Sequence, residues 1–111
     1  MTLILRLAPL LLLVTSLAAC RMKRPRDVEV FVPKLNGEIC AERIRVALAG
    51  AEGVQAKSMR FDFEARTVSL EFDSMKTATK NIEHIIARVG FDANTIPAYE
   101  EGLKTLPEEC R

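Results

Sequence analysis

From Asp27 onward, apolar residues recur at every second position, then at helical spacing, in an order that leaves few architectures open. Val28, Val30 and Val32 alternate with Glu29 and Phe31 until Pro33, which predicts a strand. Asn36 is a candidate cap for a helix with an inner stripe of Cys40, Ile44, Ala47, Leu48 and Ala51, closed by Gly50 and Gly53. Val54 opens a second extended run in which Met59, Phe61 and Phe63 face one way and Arg60, Asp62 and Glu64 the other. Beyond a turn at Ala65-Arg66, Val68, Leu70 and Phe72 alternate with Ser69, Glu71 and Asp73, which predicts a hairpin with one wet face. Thr77 or Thr79 can cap a second helix with Ile82, Ile85, Ile86 and Val89 inside, and Gly90 is a natural left-handed stop. Phe91–Ile96 predicts a last short strand.

The order is β-α-β-β-α-β, an α+β ferredoxin-like sandwich: a four-stranded antiparallel sheet with two helices on one face. After Pro97 the segment 98–111 is polar, with Leu103 and Leu106 at helical spacing, and reads as a tail with room for one short helix. A chain of 111 residues leaves space for one small domain and not two.

The N-terminus carries a different pattern. Arg6 precedes a leucine-rich run from Leu7 to Leu17, shorter than the ~20 apolar residues a membrane span takes. Leu17-Ala18-Ala19-Cys20 then resembles the lipobox of bacterial lipoproteins, which directs acylation of the cysteine and cleavage before it. That resemblance implies a signal peptide over 1–19, acyl chains such as palmitate on Cys20, and a linker over 20–27. More than one acyl chain makes such an anchor durable, at ~0.8 kcal/mol for each buried methylene. The cell envelope is the expected location; Arg21 is not the aspartate that retains some lipoproteins at the inner membrane, so the outer membrane facing the periplasm is preferred.

Charge excludes one class of partner. Arg21, Lys23, Arg24 and Arg26 cluster beside Cys20, whereas the region from Asp27 onward holds 11 basic and 15 acidic side chains, net −4. An acidic body of this kind does not fit nucleic acid. The basic cluster reads as a solvated spacer or as a patch against anionic headgroups.

Residues 28–97 resemble the heavy-metal-associated domain, the soft-metal module of copper chaperones, P-type ATPase N-termini and the periplasmic mercury-binding protein. The resemblance is carried by Val32-Pro33-Lys34-Leu35-Asn36-Gly37-Glu38-Ile39-Cys40-Ala41, Ala51-Glu52-Gly53-Val54 and Gly90-Phe91. It implies a metal loop of the form Met-x-Cys-x-x-Cys, with Cys40 on the second cysteine, Gly37 on the first and Leu35 on the methionine. It also implies that Phe91 lies near that loop and shields it; as a residue alone Phe91 is plain core.

Two thiolates make a near-linear clamp for soft ions, and a helix start favours the thiolate form of Cys40. Cys40 also sits on the apolar stripe, where a small core residue would serve. With Cys20 assigned to lipid, Cys40 and Cys110 remain. A last strand running away from the loop would end ~20 Å from it, and the 13 residues from Ala98 to Cys110 have about the length to return. The pair can ligate a metal, or form a disulfide outside the cytoplasm. Leu106-Pro107-Glu108-Glu109-Cys110 is similar to the Leu-Pro-x-Cys-Cys ending of related lipoproteins, with one cysteine fewer.

His84, the one histidine, falls on the second helix away from the loop, and Met22, Met59 and Met75 form no cluster. No nucleophile-base set, phosphate loop or paired carboxylates suggest an enzyme. Two functions stay open. One is a lipid-anchored, extracytoplasmic module that binds or hands on Cu(I), Hg(II) or Zn(II) through Cys40, with a metal-transport protein as partner. The other is a metal-free interaction or structural domain with Cys40 and Cys110 free or bonded.

Overall fold

The computed structural model describes residues 24–111; the expected signal peptide, the lipidation candidate Cys20 and the basic residues Arg21 and Lys23 lie outside the described residues. The elements are β1 (Pro25–Phe31), α1 (Glu38–Ala49), β2 (Arg60–Asp62), β3 (Thr67–Asp73), α2 (Thr79–Val89) and α3 (Glu100–Thr105). Single 3-10 turns lie at Ala56–Ser58 and Glu108–Cys110.

Alternation becomes geometry in the sheet. Strand β3 is central, antiparallel to both neighbours in the order β1-β3-β2. Val68, Leu70 and Phe72 are buried, and Val28 and Val30 lie opposite Leu70 and Val68 on the same face. Asp27 and Glu29 lie opposite Glu71 and Ser69 on the other face, where like charges tolerate proximity only because water screens them. The helices supply the second layer: Ile44 and Leu48 from α1 and Ile82 and Ile86 from α2 join the strand valines in one core. Each such side chain contributes ~1.5–3 kcal/mol by leaving water.

The expected fourth strand is absent among the described residues. Ala93 and Ile96 exchange both backbone hydrogen bonds at 2.9 Å, so the run closes on itself around Asn94, whose φ is 52°. Asp92 accepts the Ala98 amide, and Pro97 has no amide to offer a ladder. What remains of the pairing is Asn94. It donates its amide to the Phe31 carbonyl, accepts the Phe31 amide on Oδ1, and donates Nδ2 to Glu83 of α2, at 2.8, 2.8 and 3.0 Å. Glu83, 3% exposed, is thereby held between Asn94 and Lys80.

Other boundaries shift for local reasons. The second extended run keeps three residues as β2, because Val54 makes one isolated bridge to Phe72 and a 3-10 turn intervenes. Phe63 falls in the β2–β3 turn and is 40% exposed, since Asp62 accepts the amides of Glu64 and Ala65 and ends the strand there. Neither Asn36 nor a threonine caps a helix: the N-cap positions are Gly37 for α1 and Ala78 for α2, and neither helix has a side-chain cap. Gly90 does stop α2, at φ 122°.

The tail is part of the fold. Strand β1 opens at Pro25, within the stretch expected as linker, and the segment after Pro97 packs back onto the helices. Tyr99 donates its amide to Ala87 at 2.9 Å, which starts α3 against the end of α2. A Cβ on Gly102 would stand 2.1 Å from the Arg88 carbonyl oxygen, and one on Gly90 2.6 Å from the Gly102 carbonyl carbon. Two glycines thus let two backbones touch. Leu106 and Cys110 then enter the core at 2% and 0% exposure.

Candidate functional site

The site lies where the loop after β1 turns into α1. Pro33 ends β1, and Leu35 donates to the Val32 carbonyl at 3.0 Å, so the chain doubles back and buries Leu35. Gly37 is extended, with φ 170°, and accepts the first helical bond from Ala41. Cys40 is therefore in the first turn of α1, where backbone amides lack helical partners. It points inward and is 1% exposed.

The tail brings Cys110 to the same place. Cys40 and Cys110 form a disulfide with their Cα atoms 5.6 Å apart. Of the two outcomes open for these thiols, the structure holds the bonded one. The approach does not depend on the bond alone: Asn36 donates Nδ2 to the Glu109 carbonyl at 2.9 Å, and Arg66 donates to Asn36 Oδ1 at 3.1 Å and to the Pro33 carbonyl. Arg66 sits in the hairpin turn with φ 58°, and its own carbonyl accepts the Val32 amide. Hairpin turn, β1–α1 loop and tail are thus joined by one side-chain relay. Asn36, read from sequence as a helix cap, serves that relay. Arg66 and the Glu109 carbonyl carried no sequence signal, because the contacts cross 30 and 73 positions.

Above the disulfide is a depression of about 140 Å³ lined by Asn36, Gly37, Glu38, Ile39, Cys40 and Glu109. A Cβ on Gly37 would meet nothing within 4 Å, so the loop has room for a side chain there. Leu35 and Phe91, expected around the loop, are both fully buried in the core cluster that contains Cys40 and Cys110. Among the described residues no group of three or more His, Cys, Asp or Glu side chains is placed to hold a metal ion. If opened by reduction, the pair offers two thiols facing each other across 5.6 Å of backbone separation. A two-coordinate soft ion with bonds near 2.3 Å needs its sulfurs ~4.6 Å apart, so the two side chains would have to rotate away from each other to take one.

The remaining candidates fall elsewhere. His84 meets the Tyr99 hydroxyl at 2.9 Å and serves the α2–tail contact. Met59 packs against the core and Met75 is 72% exposed. On the outer side of α1 the Arg45 guanidinium is held above its usual pKa by hydrogen bonds to Glu38 and then Glu42. No helix among the described residues is long and apolar enough to cross a membrane.

Neither a protein-family model nor a curated protein sequence matches the chain. Solved structures do match. Oxidized MerP from Ralstonia metallidurans CH34 is 24% identical, with a TM-score of 0.58 over 64% of this chain and 96% of that one. The CopZ metallochaperone is 24% identical, with a TM-score of 0.57 over 61% and 98%. The N-terminal domain of a potential copper-translocating P-type ATPase from Bacillus subtilis, in its Cu(I)-loaded state, is 20% identical, with a TM-score of 0.58 over 64% and 86%. At these identities the likeness is one of fold, and it is the fold implied by the run from Val32 to Ala41.

Proposed function

We propose that the chain is a lipid-anchored, extracytoplasmic member of the heavy-metal-associated group that binds or hands on a soft metal ion through Cys40, with Cys110 supplying the second thiolate. The observation that carries this reading is the arrival of Cys110 at the loop cysteine, 70 positions away in sequence, where Gly37 leaves the local ligand missing. Support also comes from the neighbours of the fold, which are named as a metallochaperone and a Cu(I)-loaded ATPase domain. A metal-transport protein is the partner that such a role calls for.

Two thiolates favour a linear ion such as Cu(I) or Hg(II); Zn(II), which takes four ligands, would find two. The disulfide defines an oxidised form that holds no ion, so uptake first requires an external dithiol to reduce the bond with two electrons, itself becoming a disulfide; the two Cys thiols then release their protons as the metal binds. The anchor on Cys20, with the domain 28–97 and its tail 98–111 facing the periplasm, completes the proposal.

A second reading has its own observation. A fully buried disulfide that ties the tail to the core is what a metal-free structural or interaction domain would also use. Competition of the reduced chain, from Arg21 onward, with a weak Cu(I) chelator separates the two. About one ion per chain supports the metal reading, and no uptake by the reduced protein leaves the structural one.

A further inference from the structure

Helix α1 is apolar on two sides, and the core uses only one of them. Its inner side buries Cys40, Ala41, Ile44 and Leu48. Its outer side presents Ile39, 54% exposed, and Val46, 66% exposed, seven positions apart on one stripe. That stripe walls a groove of about 740 Å³, closed on its far side by Arg88 and Val89 of α2 and by Thr105 of α3. A single exposed aliphatic residue on a surface is ordinary. Two on one stripe, continuous with a groove, are less so.

The order of side chains along the stripe says what fits. The groove residues of α1 are Glu38, Ile39, Glu42, Arg43, Val46 and Ala47. Reversing the helix about the midpoint between Glu42 and Arg43 brings Ile39 onto Val46, Glu42 onto Arg43, and Glu38 onto Ala47. Apolar meets apolar and acid meets base, as a two-fold interface demands. Arg88 lies beside Ala47 on the groove wall, so it would face Glu38 of the second copy. Among the described residues Arg43 and Arg88 make no ion pair, whereas Arg45 takes Glu38 and Glu42 within the chain and stacks over Phe61 on the side away from the groove.

The geometry points to a second copy of this chain as the occupant: a two-fold dimer through antiparallel α1 helices, with Ile39 against Val46 and Glu42 against Arg43. The inference is independent of the metal reading, since it uses no cysteine. Twelve residues of α1 give a contact about 18 Å long, so the interface falls at the small end of specific ones and the dimer exchanges readily. Copies held on one membrane surface meet at raised effective concentration.

The test uses the full chain in membranes of producing cells, with a photo-crosslinking residue in place of Val46. Illumination should give a band at twice the chain mass, and mass spectrometry should place the crosslink on the Ile39 end of the second α1. Glu42→Arg alone and Arg43→Glu alone should each lower that band roughly tenfold, because each sets like charges across the axis. Glu42→Arg with Arg43→Glu should restore it. Both positions are exposed, and thermal melts of the variants check the fold. The chain substituted at Val46 alone decides first: a monomer band only, or adducts to other proteins only, overturns the dimer. A double variant that stays as weak as the singles overturns the antiparallel register.

Discussion

Cys40 and Cys110 are 70 positions apart in the chain and bonded, with Cα atoms 5.6 Å apart and both side chains fully buried. The bond closes a loop that takes in every element after the first turn of α1 and leaves out β1, so its effect on stability and its proposed effect on metal uptake are measured by the same chemical step, reduction.

Reduction should destabilise the fold without abolishing it. Closing a loop of this length lowers chain entropy in the unfolded state by an amount equal to about 4 kcal/mol, and for a domain of this size that corresponds to a melting temperature lower by roughly 15–25 °C. Thermal melts with and without reductant measure it; Cys110→Ser should match the reduced protein. Equal melting temperatures would mean that the bond is not formed, and intact mass without reductant would show no two-proton deficit.

Gly37→Cys should strengthen soft-metal binding of the reduced chain by roughly tenfold or more, since it restores a two-cysteine loop with Cys40. The backbone there is extended and a Cβ meets nothing within 4 Å, so the substitution costs little in stability. Competition titration with a Cu(I) chelator gives the change in affinity. Cys110→Ser in the natural background should weaken binding by a comparable factor, and an unchanged affinity would remove Cys110 from the site.

Gly102→Ala should be among the most costly single-methyl additions in the chain. Its Cβ would stand 2.1 Å from a backbone oxygen, so α3 must move off α2, at a cost of about 3 kcal/mol. Gly37→Ala, with open space around it, is the control. Proteolysis of the segment after Pro97 should be faster in Gly102→Ala and unchanged in Gly37→Ala.

Asn94→Ala should cost about 2–3 kcal/mol. It strips the Phe31 amide of its acceptor and the buried Glu83 carboxylate of a donor. Hydrogen exchange at the Phe31 amide should accelerate, whereas the amide of Leu70, on the central strand, should follow global stability alone.

Cys20→Ser should abolish acylation and release the chain from membranes or leave uncleaved precursor. Membrane fractionation with labelled fatty acid reads it, and a variant that still incorporates label sinks the lipobox reading.

The alternating and helical spacings between Val28 and Val89 were enough to place β1, α1, β3 and α2, because each is a local pattern with a buried side that cannot be moved without exposing several aliphatic residues. Cys40 at the first turn of α1 was legible for the same reason. What the spacing could not reveal were arrangements decided by partners distant in sequence. Phe91–Ile96 has a strand's composition, but Asn94 can satisfy Phe31 and Glu83 at once only from a turn, so the fourth strand gives way. Asn36 has a cap's identity, but its amide group goes to Glu109, and the helix start stays uncapped. The tail has a loose segment's composition, and it is the contact of Gly90 with Gly102, together with the Tyr99–Ala87 and Asn36–Glu109 hydrogen bonds, that directs it back so that Cys110 reaches Cys40. Local periodicity is fixed by which face must leave water. The pairing of the two cysteines was fixed by the backbone approach of α3 to α2 and by the Asn36–Glu109 hydrogen bond, contacts no local pattern encodes.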